Sequence, residues 1–349
     1  MTQAVALAQL GNSGVNFRNK IINGDMRIDQ RNAGAAVTST AYWPVDRFNL
    51  SMGAGSFTGQ QVADAPAGFT YSLKLIQASY GSSSYKLLQQ YVEGYNITDL
   101  NWGTSSAKNV TVSFWVKGSV TGAYTLTLQN AASGDGRWSY VSTYTINSAN
   151  TWEYKTITVT APTTATWASN NTRGIGILFD LGSTGYVTST LNSWQNNNVF
   201  YASGAVDLSN SSGATWQVTG VQLEEGGAAT AFEVRPYGTE LQLCQRYYQL
   251  CNGFLGTPGA TTTNMYTAIQ YQTAMRSTPS LAQTGIITMS APGVDVWAQS
   301  STGISAGGQN TTGTWIVLNN FSGLTQHRPY VQSINYSSNG YLITLSSEL

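Results

Sequence analysis

The feature that most constrains this chain is an alternation, repeated along much of its length, of β-branched or aromatic residues with small polar ones. It is clearest at Asn109 to Lys117, Ala123 to Gln129, Thr151 to Thr160, Asn198 to Val206 and Thr215 to Leu223. A two-residue period sends successive side chains to opposite faces, so each segment reads as a half-buried strand. Clusters of Gly, Ser, Asn and Asp, such as Gly118 to Gly122 and Ser133 to Gly136, supply the turns between them. Around ten such strands, spaced at roughly 8–12 residues, fit between residues 17 and 235, which predicts an antiparallel β-sandwich of the jelly-roll kind. The expected class is therefore all-β.

One segment breaks the pattern. Thr239 to Cys251 follows Pro236 and precedes Asn252-Gly253, which is helix punctuation, so a helix is expected within residues 236–253. Leu241, Cys244, Tyr248 and Cys251 repeat at helical spacing, and Leu243, Tyr247 and Leu250 form a second row. An apolar arc this wide calls for partners on more than one side. Two readings stay open: a linking helix packed between domains, and a subunit-contact helix about a symmetry axis. Residues 254–349 return to short strands, at Tyr266 to Thr273, Ile286 to Ser290, Val294 to Ala298, Thr314 to Leu318, Tyr330 to Tyr336 and Tyr341 to Leu345. The stretches Thr257 to Thr263 and Ser300 to Gly313 are so rich in small residues that they read as loops. A β domain this small has a thin core by itself, which favours support from an oligomer.

Composition narrows function. Lys plus Arg equal Asp plus Glu at 16 each, and charged residues are only 9% of the 349 residues, against about 25% in typical soluble domains. Without a basic cluster there is no electrostatic footprint for nucleic acid. The longest apolar runs, Ala4 to Leu10 and Gly174 to Leu181, fall short of the ~20 residues that span a bilayer as a helix, and the first residues lack a signal-peptide pattern. Synthesis and folding in a cytoplasm is the expectation. With 41% hydrophobic and 11% aromatic residues, the chain has enough to bury a core.

A single histidine, His327, excludes multi-histidine metal sites and histidine relays. Cys244 and Cys251, seven residues apart on one expected helix, would stand about 10 Å apart, beyond disulfide reach. Glycoside hydrolysis needs only two carboxyl groups, for which Glu93, Asp135, Glu153, Asp180, Glu224 and Glu225 are available, but no acid–base pair is recognisable among them. Asp25, Asp29 and Glu224 would suit a structural calcium ion if the two ends of the sandwich adjoin; otherwise no cofactor is expected. Trp115, Trp152 and Trp216 lie in alternating strands and are expected in the core. Trp102, Trp138, Trp167 and Trp194 lie in or beside polar segments, and Trp138, Tyr140 and Trp194 are the candidates for stacking on a sugar ring.

Four strings carry a resemblance: Lys20-Ile-Ile-Asn-Gly-Asp-Met-Arg-Ile-Asp-Gln-Arg-Asn32, Val221-Gln-Leu-Glu-Glu-Gly226, Ala231-Phe-Glu-Val-Arg-Pro236 and Glu240-Leu-Gln-Leu-Cys-Gln-Arg-Tyr-Tyr248. In order and spacing they resemble a family of bacteriophage and prophage virion proteins described as tail fibre or tail-associated. The resemblance implies a jelly roll like that of carbohydrate-binding modules, entered by the first string and closed by the second, then a helix and a variable C-terminal β domain. It further implies a homo-oligomer, trimeric when the protein is a fibre, that assembles in a bacterial cytoplasm with other virion proteins; the polar, uncharged, aromatic-bearing loops suit recognition of host-surface polysaccharide without catalysis. Residues 1–16 would then be an arm that docks to the virion or stays disordered, and residues 254–349 a tip that meets the receptor. A capsid cement or decoration protein is the alternative, and a polysaccharide depolymerase the third possibility.

Overall fold

The computed structural model describes residues 17–130, 137–251, 262–284, 287–290, 297–301, 303–321, 324, 331–332 and 343–349. The expectations for residues 1–16, for Asp135, for His327 and for the stretch 257–261 lie outside the described residues. Two compact units result: one takes the chain up to Arg27 together with Gly34–Arg235, the other takes Ile28–Ala33 together with Pro236–Leu349.

The first unit is built from β1 (Val37–Ser39), β2 (Ala41–Val45), β3 (Phe48–Met52), β4 (Ser56–Val62), β5 (Ser72–Ser79), β6 (Lys86–Glu93), β7 (Val110–Gly118), β8 (Gly122–Asn130), β9 (Trp138–Ile146), β10 (Glu153–Val159), β11 (Arg173–Asp180), β12 (Val187–Thr188), β13 (Trp194–Asn196), β14 (Tyr201–Ala202) and β15 (Thr215–Glu225). A six-stranded sheet runs β1-β4-β5-β15-β7-β10, and a seven-stranded sheet runs β13-β9-β8-β11-β6-β3-β2. Pairing within both is antiparallel. This is the all-β sandwich that the alternation demands. Even-numbered residues of β7 (Val112, Phe114, Val116) and of β15 (Trp216, Val218) face a core completed by Leu88, Leu126, Leu128, Ile175, Ile177 and Phe179. Phe114 meets Phe179 and Tyr144 edge-on at 5.1 and 5.0 Å, and the buried Trp216 donates from Nε1 to the Tyr144 hydroxyl at 3.1 Å.

Asn198 to Val206, expected as a full strand, contributes only β14. Its apolar residues cap the outer face of the seven-stranded sheet instead: Phe200 packs on Leu87 and Leu178, and Val199 and Ala202 on Val141.

Three of the four family-like strings meet where the chain enters and leaves the sandwich. Asn19 Oδ1 accepts from the Ile21 and Leu223 amides, Lys20 N donates to Leu223 O, and Val221 N donates to Gly24 O at 2.9 Å. Arg235 donates to the carbonyls of Ile21 and Asn19, while Glu233 accepts from the Arg18 and Asn19 amides at 3.0 Å each. Gly24 is sterically required, because a Cβ there would lie 2.1 Å from Val221 O. These strings are framework: they satisfy buried backbone groups where the chain enters and leaves the sandwich.

The second unit contains α1 (Tyr237–Gln245), β16 (Tyr248–Cys251), β17 (Met265–Gln270), β18 (Ser280–Gln283), β19 (Ile287–Ser290), β20 (Trp297–Ser301), β21 (Gly303–Gln309), β22 (Gly313–Asn319), β23 (Val331–Gln332) and β24 (Ile343–Ser346). They form three-stranded sheets in the orders β16-β24-β18, β17-β22-β21 and β20-β19-β23. Met265, Ile269, Met275, Ile316, Leu318, Phe321, Ile343 and Leu345 make its core.

Three expectations are corrected here. The helix ends at Gln245 and not at Cys251. Tyr247 N closes a tight turn on Cys244 O at 2.9 Å, after which Tyr248–Cys251 pairs with Ile343–Ser346. Cys244 stays on the helix, Tyr247 is buried in the turn, and Tyr248 and Cys251 belong to a strand; only Leu241 and Leu243 remain half-exposed on α1. Both cysteines are free and buried. The stretch Ser300 to Gly313, expected as a loop, includes β21. Its glycines give room to a tryptophan: a Cβ on Gly307 would fall 2.0 Å from the Trp315 ring, which lies across the strand half-exposed beside Tyr266. Ile28–Ala33, expected within the sandwich, belongs to the second unit, where Gln30 Nε2 donates to Tyr248 O at 3.1 Å and the Arg31 guanidinium lies 3.7 Å over the Tyr248 ring and pairs with Glu348.

Candidate functional site

The outer face of the six-stranded sheet carries a groove of about 400 Å³, lined by Phe69, Ser113, Trp115, Tyr154, Gly220 and the segment 229–232. Strand register builds it. Tyr154 on β10, Trp115 on β7 and Thr219 on β15 are consecutive cross-strand partners, which puts all three on one row of one face. The Trp115 and Tyr154 rings stand 5.3 Å apart with a 46° tilt, and Tyr154 is 43% exposed. A β-bulge in β15 then turns the chain at Gly220, whose φ of +63° is in the left-handed region. A Cβ at Gly220 would meet Phe69 at 2.6 Å and Trp115 at 3.3 Å, so glycine is what lets these two rings close over the bulge. Phe69 and Phe232 pack edge-on at 5.1 Å and form the wall.

That wall is anchored by ions and not by apolar contact alone. Glu224, buried on β15, accepts from Thr230 N at 2.8 Å, from Thr230 Oγ1 at 2.6 Å and from Gln222 Nε2 at 2.9 Å, and it pairs with Arg18 at 3.1 Å. Arg18 also donates to Ala231 O at 2.6 Å. Two residues along the sheet, Lys117 pairs with Asp64 and lies 5.0 Å over the Trp152 ring, and Trp152 Nε1 donates to Asp64 Oδ1 at 3.4 Å. The hydrogen bond from Lys117 holds the Asp64 carboxyl below the usual range. The groove thus offers tilted ring faces, hydroxyls and backbone, between ion pairs already satisfied by their own partners. Such a surface suits a neutral ligand with flat C–H faces and hydroxyl edges.

The residues singled out from sequence fall elsewhere. Trp194, Trp102 and Trp167 pack on one another edge-on at 4.6 to 5.5 Å, with Tyr140 against Trp194 at 5.5 Å. Trp194 Nε1 donates to Thr160 O, Trp102 Nε1 donates to Lys108 O, and Tyr140 is 4% exposed. Tyr140 and Trp194 are therefore packing residues of the sandwich margin. Trp138, half-buried on β9, is not among the residues lining the groove. Conversely Trp115 and Trp152, expected in the core with Trp216, face outward; Trp216 alone of the three is fully buried. Phe69, Tyr154, Thr230 and Phe232 are not among the ligand-binding candidates read from the sequence, although Phe232 lies within the third family-like string.

The calcium candidates have other partners. Asp25 pairs with Arg27, and burial pushes its carboxyl up against the pull of that guanidinium. Asp29 Oδ1 accepts from Asn32 N and Nδ2 in a turn, and Glu224 holds the groove wall. Among the described residues, no group of three or more His, Cys, Asp or Glu side chains is arranged to hold a metal ion. The candidate acids Glu153 and Glu225 pair with Lys155 and Lys108. Asp180 sits in a buried cluster: it accepts from the Gly182 and Ser183 amides and the Ser183 hydroxyl, and nearby Lys86 donates to Gly182 O and Ser209 Oγ at 2.8 and 2.6 Å.

No protein-family model matches the chain, and no curated protein does. Among solved structures it is similar to the enzymatically active domain of tailspike protein 4 of bacteriophage CBA120, at 13% identity and TM-score 0.35, over 60% of this chain and 22% of that one. It is similar to a CBM4 structure at 14% identity and TM-score 0.30, over 58% of this chain and 98% of that one. It is also similar to the CBM22-1–GH10 modules of Clostridium thermocellum xylanase 10B, solved with xylohexaose, at 13% identity and TM-score 0.33, over 62% and 30% of the two chains. Likenesses this distant carry no argument about what the chain binds.

Proposed function

We propose that this protein is a non-catalytic component of a bacteriophage virion, of the tail-fibre kind, that holds host-surface polysaccharide in the groove on its six-stranded sheet. One observation carries the binding half of this reading: the register-paired rings of Trp115 and Tyr154, tilted and partly open, beside the Phe69–Phe232 wall. Aromatic faces of this kind stack on the C–H faces of pyranose rings, while the Thr230 hydroxyl, whose proton goes to Glu224, keeps its lone pairs to accept from a sugar hydroxyl. The non-catalytic half is part of the same proposal, and release of reducing sugar from the polysaccharide by the protein would overturn it. The virion assignment rests on the four family-like strings. In this reading the protein is a homotrimer on the virion surface, assembled in the bacterial cytoplasm without a cofactor, and several weak sites per particle act together through avidity.

The test is binding of the fluorescently labelled full chain to intact bacterial cells, with stripped surface polysaccharide as competitor. Saturable, competed binding is expected, and Trp115→Ala should weaken it about tenfold while leaving the melting temperature within a few degrees. No binding to any polysaccharide of a broad bacterial glycan array, or binding by Trp115→Ala equal to that of the parent, would overturn the reading.

A further inference from the structure

The second unit contains a cavity of its own, of about 380 Å³, between the 28–33 turn, α1 and β16. The geometry points to a second saccharide-binding site there, one that takes a single neutral sugar unit. Its polar centre is an amide pair. Gln245, 8% exposed, donates from Nε2 to Gln272 Oε1 at 2.6 Å. That bond leaves the Gln245 carbonyl as an acceptor and the Gln272 amide as a donor, side by side, and two adjacent hydroxyls of a pyranose present the complementary sequence of donor and acceptor. Tyr237, 57% exposed at the start of α1, supplies a ring face, and Leu241 and Leu250 supply aliphatic surface for the C–H side of the sugar. Asp29 also lines the cavity, no cationic side chain does, and its charge disfavours sulfated or carboxylated ligands. The volume is within the range of sites that enclose small ligands.

This site is independent of the groove on the first unit, so its test must separate the two. Saturation-transfer NMR on the full chain would use methyl glucoside, methyl galactoside and N-acetylglucosamine as probes, with Trp115→Ala, Tyr237→Ala and Gln245→Ala proteins. The expected result is that at least one probe gives a signal that survives in Trp115→Ala and falls at least threefold in Tyr237→Ala and Gln245→Ala. Tyr237 is exposed, so its alanine variant keeps the fold, which near-UV circular dichroism checks. Absence of signal with all probes, or a signal lost in Trp115→Ala and intact in Tyr237→Ala, would overturn the proposal. So would a change in mass by light scattering for Tyr237→Ala with the signal unchanged, which would make the cavity a subunit contact.

Discussion

Gly220 shows how much of the groove depends on single positions. Its left-handed φ and the 2.6 Å approach a Cβ would make to Phe69 act together. Gly220→Ala is expected to cost about 1–3 kcal/mol in stability and to push Phe69 off the groove, so ligand affinity falls along with the unfolding midpoint in urea. Gly24 is a contrasting case, a residue far from any ligand whose substitution acts through backbone. A Cβ 2.1 Å from Val221 O has to displace β15 itself, and Gly24→Ala should lower stability by more than Gly220→Ala in the same urea titration. The Tyr248 ring, clamped under Arg31, makes a third. Tyr248→Glu should unfold the second unit, which near-UV circular dichroism would register, and so it is no clean probe of subunit contact. Leu243, half-exposed on α1, is the better one: in the trimer reading Leu243→Asp lowers the mass seen by light scattering, and an unchanged mass would remove the helix from that role.

At the scale of elements, β7 and β10 explain what the sequence could and could not reveal. The alternation located both strands to within two residues. It also contained their phase: Ser113 and Lys117 are polar at odd positions of β7, which turns Trp115 outward, and Thr156 and Thr158 do the same for Tyr154 on β10. Trp115 was nonetheless expected in the core, because Phe114-Trp115-Val116 reads as one apolar run and tryptophan is so often buried. Phe69 and Phe232 had no such signal. They reach the groove through the loop before β5 and the segment after β15, and only the Glu224–Thr230 and Arg18–Ala231 bonds bring the latter there. Glu224→Gln should therefore loosen this wall, weakening sugar binding several-fold with a modest loss of stability, measured by titration calorimetry and thermal melting. The helix was overextended for a related reason. Tyr248 to Cys251 fits helical spacing and also fits a strand, and its β24 partner lies some ninety residues away, beyond any local window.

Across the molecule, the low charge content makes each buried ionisable group count in the response to pH. Burial pushes the Asp180 carboxyl from 3.8 up to about 6, against the hydrogen bonds it accepts and the nearby Lys86. A carboxyl whose folded pKa is raised stabilises the fold below its unfolded value, and that stability is lost as pH rises through the folded one. The protein should thus become more stable as pH falls from about 7.5 to about 5, by an amount on the order of 2 kcal/mol. Asp180→Asn should flatten this slope in thermal melts, whatever it does to stability at a fixed pH. Salt links such as Lys117–Asp64 act oppositely and weaken only at lower pH, as their carboxylates protonate.

The chain passes between its two units at three places, after Arg27, after Ala33 and after Arg235. Residues 28–33 are thereby woven into the second unit, through Gln30 and Arg31, while remaining in one piece with the sandwich. A protease that cuts once between Arg235 and Pro236 would give two bands on a denaturing gel yet a single species on a native one. The C-terminal fragment would have lost its peptide link but not its six-residue tether. In the fibre reading, where the molecule is tugged between a particle and a surface, that is redundancy of attachment: a single backbone break does not set its end adrift.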